Sequence, residues 1–174
     1  MCSLVEIHLR KVTIEEKSVL WKLMQLYLYD LSEFSGDELK KGGEFEYQYF
    51  EYYWIEETRH PYFIEVDGNL AGFVLVSDYV VTENAQHSIA EFFILRQFRG
   101  KELGKLVAHR IFSQTPGVWE IRALIKNTPA IEFWNRVINE YTNNSYQYFQ
   151  EGIEAWNGPI WVFDNTQSGS RGHY

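Results

Sequence analysis

The chain contains a single cysteine, Cys2, and it has few cationic residues for its length of 174 residues. One cysteine excludes an internal disulfide and any zinc cluster built from several cysteines, and no spacing of His, Asp and Glu resembles a metal site. Only 16 lysines and arginines stand against 24 aspartates and glutamates, and the resulting net charge of −8 argues against general nucleic-acid binding. The chain shows neither an apolar run of membrane-spanning length nor the apolar core of a signal peptide. We therefore expect a cytoplasmic protein that binds neither nucleic acid nor a membrane.

The proportions of apolar and charged residues are typical of a globular protein, and aromatic residues are frequent. Apolar residues make up 45% and charged residues 23% of the chain, which includes 12 Tyr, 12 Phe and 6 Trp. The length favours one domain over residues 1–164, followed by a polar tail, 165–174, that we expect to be disordered. The densest aromatic cluster covers residues 45–54.

Hydrophobic periodicity and turn signals predict a series of strands and helices. The predicted strands cover residues 5–12, 62–66, 70–77, 88–95, 119–125, 146–149 and 160–163. One helix follows the capping-box pair Thr13 and Glu16, a second covers 103–113, and a third begins with Thr128 as N-cap and Pro129 as its first residue. Residues 32–43 are predicted to be a loop. Strands and helices alternate only in the second half, which favours an α/β (α+β) fold with a mixed sheet over a doubly wound parallel sheet.

The aromatic segment 44–57 is ambiguous. Its aromatic residues fit one helical face, and parts of it also alternate as a strand would. We favour a helix because glutamate is frequent there and a long strand would be hard to pair. Residues 45–54 could also serve as a homodimer surface, since interfaces favour Tyr and Trp, although buried cores do so as well.

A cationic turn follows the strand predicted over 88–95. It contains two glycines, Gly100 and Gly104, and the cations are Arg96, Arg99, Lys101 and Lys105. The turn leads into a helix, whose first N–H groups lack intrahelical partners and whose dipole favours an anion. This arrangement predicts a place that holds a phosphorylated ligand.

Two patterns carry a family resemblance. Residues 99–104 read Arg-Gly-Lys-Glu-Leu-Gly, and Asn127 is followed by a helical segment that carries Ala130, Phe133 and Trp134. With the order of predicted elements, they resemble the GNAT superfamily of acyl-CoA-dependent N-acetyltransferases over roughly residues 5–164. The resemblance implies a mixed, mostly antiparallel sheet flanked by helices. Glu102 departs from the family pattern, which usually has glycine at that position.

The resemblance further implies a binding site for acetyl-CoA as co-substrate. The turn would hold the pyrophosphate, and the strand end would offer backbone groups to the pantetheine arm. The implied residues are Phe93, Ile94, Leu95, Arg99, Gly100, Lys101, Glu102, Leu103, Gly104, Lys105, Asn127 and Phe133. Asn127 could bond either the pantetheine arm or the adjacent backbone. If Glu102 has a helical φ, its N–H can still donate to the pyrophosphate; a positive φ would cost about 1 kcal/mol or more.

Acetyl transfer to an amine requires a group that removes the amine proton, because a lysine-like amine with a pKa of about 10.4 is mostly charged at neutral pH. Glu91 is the candidate base, and the competing interpretation is a solvated or ion-paired strand glutamate. Trp134 stands where the family often has a tyrosine acid, so we assign no acid. Tyr29 and Asp30 are candidates for the wall of the acceptor pocket, as the family builds its variable substrate wall there.

Two functions fit this pattern. The first is an N-acetyltransferase that acts on a small-molecule or peptide primary amine without a covalent enzyme intermediate. The second is a non-catalytic acyl-CoA-binding or protein-interaction domain on the same fold, which the absent tyrosine and Glu102 make possible.

Overall fold

The computed structural model describes residues 5–100 and 102–166. The expectations for Cys2, for Lys101 and for residues 167–174 of the tail lie outside them. The strands are β1 (Ile7–Lys11), β2 (His60–Val66), β3 (Asn69–Ser77), β4 (His87–Ile94), β5 (Val118–Arg122), β6 (Gln147–Phe149) and β7 (Ile160–Asp164). The helices are α1 (Lys17–Ser35), α2 (Leu103–Gln114) and α3 (Thr128–Thr142).

The strands form a seven-stranded sheet in the order β1-β2-β3-β4-β5-β7-β6. The pairs β1–β2, β2–β3, β5–β7 and β6–β7 are antiparallel, and β4–β5 is parallel. The predicted mixed α+β fold with a mostly antiparallel sheet is thus confirmed. In the described part of the chain, no helix is both long and apolar enough to cross a membrane.

Backbone contacts divide the described chain into two compact units, and the first includes residues 5–77 and 91–100. Its β2–β3 hairpin matches the predicted turn signal. Val66 pairs with Asn69, and both residues between them have positive φ, 49° for Asp67 and 77° for Gly68. Positive φ at both positions is typical of a type I′ turn, which joins strands with their natural twist.

Helix α1 begins after the predicted capping box, in which the Glu16 carboxylate accepts from the Thr13 backbone N–H at 3.3 Å. Leu20 and Met24 are fully buried on its predicted apolar face. The helix continues to Ser35, four residues into the predicted loop, and ends at Gly36, whose φ of 76° is the left-handed conformation of a C-cap.

The predicted helix over 44–57 is wrong. The segment contains turns and a four-residue 3-10 helix, Glu51–Trp54. The Gln25 side chain of α1 bonds the backbone N–H of Phe45 at 2.7 Å and its carbonyl at 3.0 Å, so both groups have tertiary partners. The Phe50 ring packs 4.9 Å from both Trp21 and Trp54. Contacts with α1 therefore override the local helical tendency.

The second unit includes residues 78–90 and 102–166 of the described chain. Its core contains Trp119 and Trp161, both fully buried, and Phe112 of α2. Strand β5 ends at Arg122, three residues before the predicted end, and α3 is capped by Asn127 rather than by Thr128.

Strand β5 also carries a fully buried carboxylate, Glu120. It accepts hydrogen bonds from Val81 N–H at 3.1 Å, from Thr82 N–H at 2.8 Å and from the Thr82 hydroxyl at 2.6 Å. Arg122, 3.2 Å away, balances its charge. This network anchors the segment before β4 onto β5.

Candidate active site

Glu91 lies on β4 and is surrounded by tyrosines of the first unit. The Tyr27 hydroxyl of α1 donates a hydrogen bond to the Glu91 carboxylate, and Tyr47 lies close enough to Glu91 for that negative charge to act on its hydroxyl. The Tyr27 ring is fixed by Phe73 and Phe93, each 5.8 Å away between ring centroids. The structure therefore brings together a base candidate and two phenols that are distant in sequence.

The electrostatics of this cluster keep the tyrosines protonated. Burial, followed by the negative charge of Glu91, raises the pKa of Tyr27 and of Tyr47 well above its ordinary value. The same causes raise the pKa of Tyr53 to about 12, against an opposing effect of Arg59. Protonated phenols donate hydrogen bonds, and the Tyr27 phenol donates one to Glu91. Glu91 thus lies in a partly buried, aromatic setting with a phenol oriented toward its carboxylate.

The first half of the cationic turn is held to α1 by an acidic residue. Asp30 accepts from Arg96 at 2.7 Å and from Arg99 at 2.9 Å. Burial alone would raise the pKa of Asp30, but the hydrogen bonds from Arg99 and Arg96 outweigh it and lower that pKa. Asp30, a predicted acceptor-wall residue, is thus occupied by the turn, whereas Tyr29 is 66% exposed.

The end of β4 has little freedom. The Ile94 carbonyl accepts from Arg99 Nε at 2.7 Å, and the Leu95 N–H donates to the Ala71 carbonyl at 2.8 Å. A Cβ on Gly72 of β3 would stand 2.0 Å from the Phe93 carbonyl oxygen, so only glycine permits this approach. Two of the backbone groups that we expected to face a pantetheine arm already have partners within this unit.

In the second unit, Glu102 has the left-handed conformation, with φ 60°, directly before α2. Of the helical and the positive φ considered for Glu102, the positive one is therefore observed, at a cost of about 1 kcal/mol. Its carboxylate pairs with Lys105 and lies 3.5 Å from Arg136, and Lys105 also pairs with Glu140 at 2.9 Å. The hydrogen bond from Lys105 lowers the pKa of Glu102, and the bonds to Glu102 and Glu140 raise the pKa of Lys105. The Glu102 carboxylate is thus paired with neighbouring cations.

Asn127 is the N-cap of α3, and Phe133 lies on that helix. The Asn127 side chain accepts from the Ala130 N–H at 3.1 Å, so the bond to adjacent backbone is the one observed. Phe133 packs against the buried Trp134 with centroids 4.8 Å apart. Leu103 of α2 is buried, and Gly100 has a φ of 82° that suits glycine.

Sequence reasoning missed Tyr47 and Tyr53 as neighbours of Glu91, and Arg59 as a neighbour of Tyr53. The Arg59 guanidinium stands over the rings of Tyr49, Tyr52 and Tyr53 at 5.4–5.9 Å. The aromatic composition of residues 45–54 was the one available signal, and its helical interpretation obscured which rings face inward.

A model of the acetyltransferase (GNAT) family matches residues 23–138 of the chain. No curated protein is significantly similar to it in sequence. An acetyltransferase from Thermus thermophilus is similar in structure, with 14% identity, a TM-score of 0.65 and coverage of 91% of this chain and 96% of that one. A GNAT-family acetyltransferase from Streptococcus agalactiae has 17% identity, a TM-score of 0.64 and coverage of 90% and 92%. An aminoglycoside acetyltransferase in complex with coenzyme A has 14% identity, a TM-score of 0.61 and coverage of 92% and 96%.

Proposed function

The chain belongs to the GNAT family of acetyltransferases, and on this premise we propose that it transfers the acetyl group of acetyl-CoA to a primary amine, with Glu91 taking the amine proton. Acetyl-CoA is the co-substrate and supplies an activated thioester carbonyl. The amine nitrogen forms a bond to the acetyl carbon, the carbon–sulfur bond breaks, and free thiol leaves. No covalent enzyme intermediate is needed.

The observation that carries this proposal is the hydrogen bond that the Tyr27 hydroxyl donates to the Glu91 carboxylate. A primary amine is mostly protonated at neutral pH and needs a base before it can attack. Tyr27 and the neighbouring Tyr47 have raised pKa values and stay uncharged at neutral pH. A carboxylate can accept several hydrogen bonds, so Glu91 can bond Tyr27 and also an incoming ammonium or its bridging water.

We further propose that the cationic turn and the start of α2 hold the coenzyme A phosphates. Arg99 is already oriented by the Ile94 carbonyl, and a phosphate there would share the guanidinium with Asp30. In the second unit, the N-terminus of α2 with Gly104 offers N–H groups, and a phosphate there would share the Lys105 ammonium with Glu102 and Glu140. Gly100, Lys101, Glu102 and Leu103 belong to the same expected pyrophosphate set, and the expected pantetheine-side residues are Phe93, Ile94, Leu95, Asn127 and Phe133.

The proposal is tested by binding and turnover measured separately. Calorimetry with coenzyme A should show micromolar binding, and an amine panel with acetyl-CoA should release free thiol. Glu91→Gln should lower turnover at least about a hundredfold while coenzyme A binding stays within about twofold. The matched control is Glu132→Gln, an exposed glutamate of α3, which should leave turnover unchanged.

The outcomes separate the alternatives. If coenzyme A does not bind at millimolar concentration, any acyl-CoA function is wrong. Binding without thiol release for every amine would favour the non-catalytic acyl-CoA-binding domain. Unchanged turnover in Glu91→Gln at every pH would remove Glu91 from the mechanism.

A further inference from the structure

A cavity of about 530 Å³ lies beside the start of α1 in the first unit. This volume is within the range of small-molecule sites, about 300–1,000 Å³. Three aromatic side chains line it, Trp21 from α1 and Tyr47 and Phe50 from the aromatic segment. The cavity thus has the flat apolar walls that accommodate a hydrocarbon or aromatic frame.

The charged lining of this cavity is negative. Two carboxylates, Glu15 and Glu51, and one ammonium, Lys17, face it. Lys17 forms an ion pair with Glu51, and its ammonium lies 5.2 Å from the centroid of the Trp54 ring. The net charge of the lining is therefore that of one carboxylate. Carboxylates next to aromatic faces favour a cation, because the ring face and the acidic group attract it together.

Tyr47 connects this cavity to the candidate base. Tyr47 lines the cavity, and it lies close enough to Glu91 for the negative charge of that carboxylate to act on its hydroxyl. An extended ligand whose one end occupies the cavity would therefore direct its other end past Tyr47 toward Glu91.

We propose that the cavity is the acceptor subsite and that it selects primary amines with a second ammonium group on an apolar spacer. The distal ammonium lies against Trp21 and beside the carboxylate of Glu15, it shares Glu51 with Lys17, and the spacer packs on Phe50 and Tyr47. The proximal amine is then the one acetylated near Glu91. This inference rests on the proposed function for the acetylation step, whereas binding of the dication does not depend on it.

The test compares 1,6-diaminohexane with 6-amino-1-hexanol, which has the same chain and one ammonium. Calorimetry without acetyl-CoA measures binding, and thiol release measures kcat/KM. We expect the diamine to bind and to exceed the amino alcohol in kcat/KM by at least about fivefold. Glu15→Gln with Glu51→Gln should weaken diamine binding by on the order of tenfold, since it also leaves the Lys17 charge facing the ligand. The control removes two exposed glutamates outside the cavity, Glu38→Gln with Glu57→Gln, and should leave diamine affinity within about twofold.

The result that would overturn the inference is a diamine affinity that both double variants leave equally unchanged, or no diamine binding at all. Thiol release with equal kcat/KM for the two amines would retain the acetyltransferase function and reject the dication subsite. Diamine binding that is lost in Glu15→Gln with Glu51→Gln, without thiol release, would support the subsite and reject the proposed function. If that variant does not fold, wild-type binding in about 50 and about 500 mM salt decides, since a dication held by carboxylates must weaken with salt.

Discussion

Gly72→Ala should destabilise the protein more than any surface change of similar size. The added Cβ would stand 2.0 Å from the Phe93 carbonyl oxygen and 3.0 Å from Ile94 Cα. Carbon–oxygen contacts rest at about 3.3–3.6 Å, so β3 and β4 must separate locally by more than about 1 Å. Both contacting atoms belong to the backbone, and no side-chain rotation can relieve them.

The expected cost has two parts. Overpacking of a buried backbone contact costs about 1–3 kcal/mol. The adjacent bond from the Leu95 N–H to the Ala71 carbonyl, 2.8 Å long, would lengthen and lose about 1 kcal/mol. Together they amount to about 2–4 kcal/mol, a large share of the about 5–15 kcal/mol that keeps a typical domain folded. Coenzyme A affinity should also fall severalfold, because the shift moves the Ile94 carbonyl that orients Arg99.

Urea unfolding monitored by tryptophan fluorescence measures the free energy of unfolding, and calorimetry measures coenzyme A binding. The matched control is Gly42→Ala, where an added Cβ meets nothing within 4 Å and φ is not positive. This substitution should change stability by less than about 1 kcal/mol, with any change tending to stabilise. A Gly72→Ala cost below about 1 kcal/mol, equal to that of the control, would refute the reasoning about the close approach.

Two further predictions concern buried and partly buried carboxylates. Glu120→Gln should lower the free energy of unfolding by about 3 kcal/mol, because it removes the charge that balances Arg122 and replaces an acceptor oxygen with a donor. Urea unfolding measures this, and a loss below about 1 kcal/mol would contradict it. Asp30→Asn should cost about 1.5 kcal/mol at pH 7. The folded pKa of Asp30 is lowered, so its stabilisation is complete above the unfolded pKa of about 3.9 and is lost as pH falls through the folded pKa. The difference between wild type and Asp30→Asn should therefore shrink below about pH 4, and a difference that stays constant to about pH 3 would exclude the arginine pairing as its cause.

Some elements follow from local sequence because their determinants are neighbours along the chain. The hairpin at Asp67 and Gly68 needs two positive-φ residues between β-type runs, and both residues tolerate that conformation. The capping pair Thr13 and Glu16 likewise sets the start of the first helical turn within three residues. Predictions of this kind were confirmed to within a few residues.

Other elements depend on partners far away in sequence. The aromatic segment 44–57 has the composition of a helix face, yet Gln25 holds the Phe45 backbone and Trp21 holds Phe50. No local pattern reveals such contacts, because tertiary burial outweighs a helix propensity of a few tenths of a kcal/mol per residue. Glu102 is a second residue that local sequence did not settle. Its positive φ directly before α2 and its pairing with Lys105 are visible only in the structure.

The sequence by itself determined the family, the order of most strands and helices, and Glu91 as the candidate base, because periodicity and motif spacing are properties of neighbouring residues. The tertiary structure alone decided what surrounds that carboxylate. Tyr27 is 64 residues from Glu91, and Asp30 is 69 residues from Arg99. Hydrogen bonds and ion pairs act over about 3 Å in space without regard to separation along the chain. Which phenol bonds the Glu91 carboxylate, and which carboxylate holds the turn, therefore depended on the packing of α1.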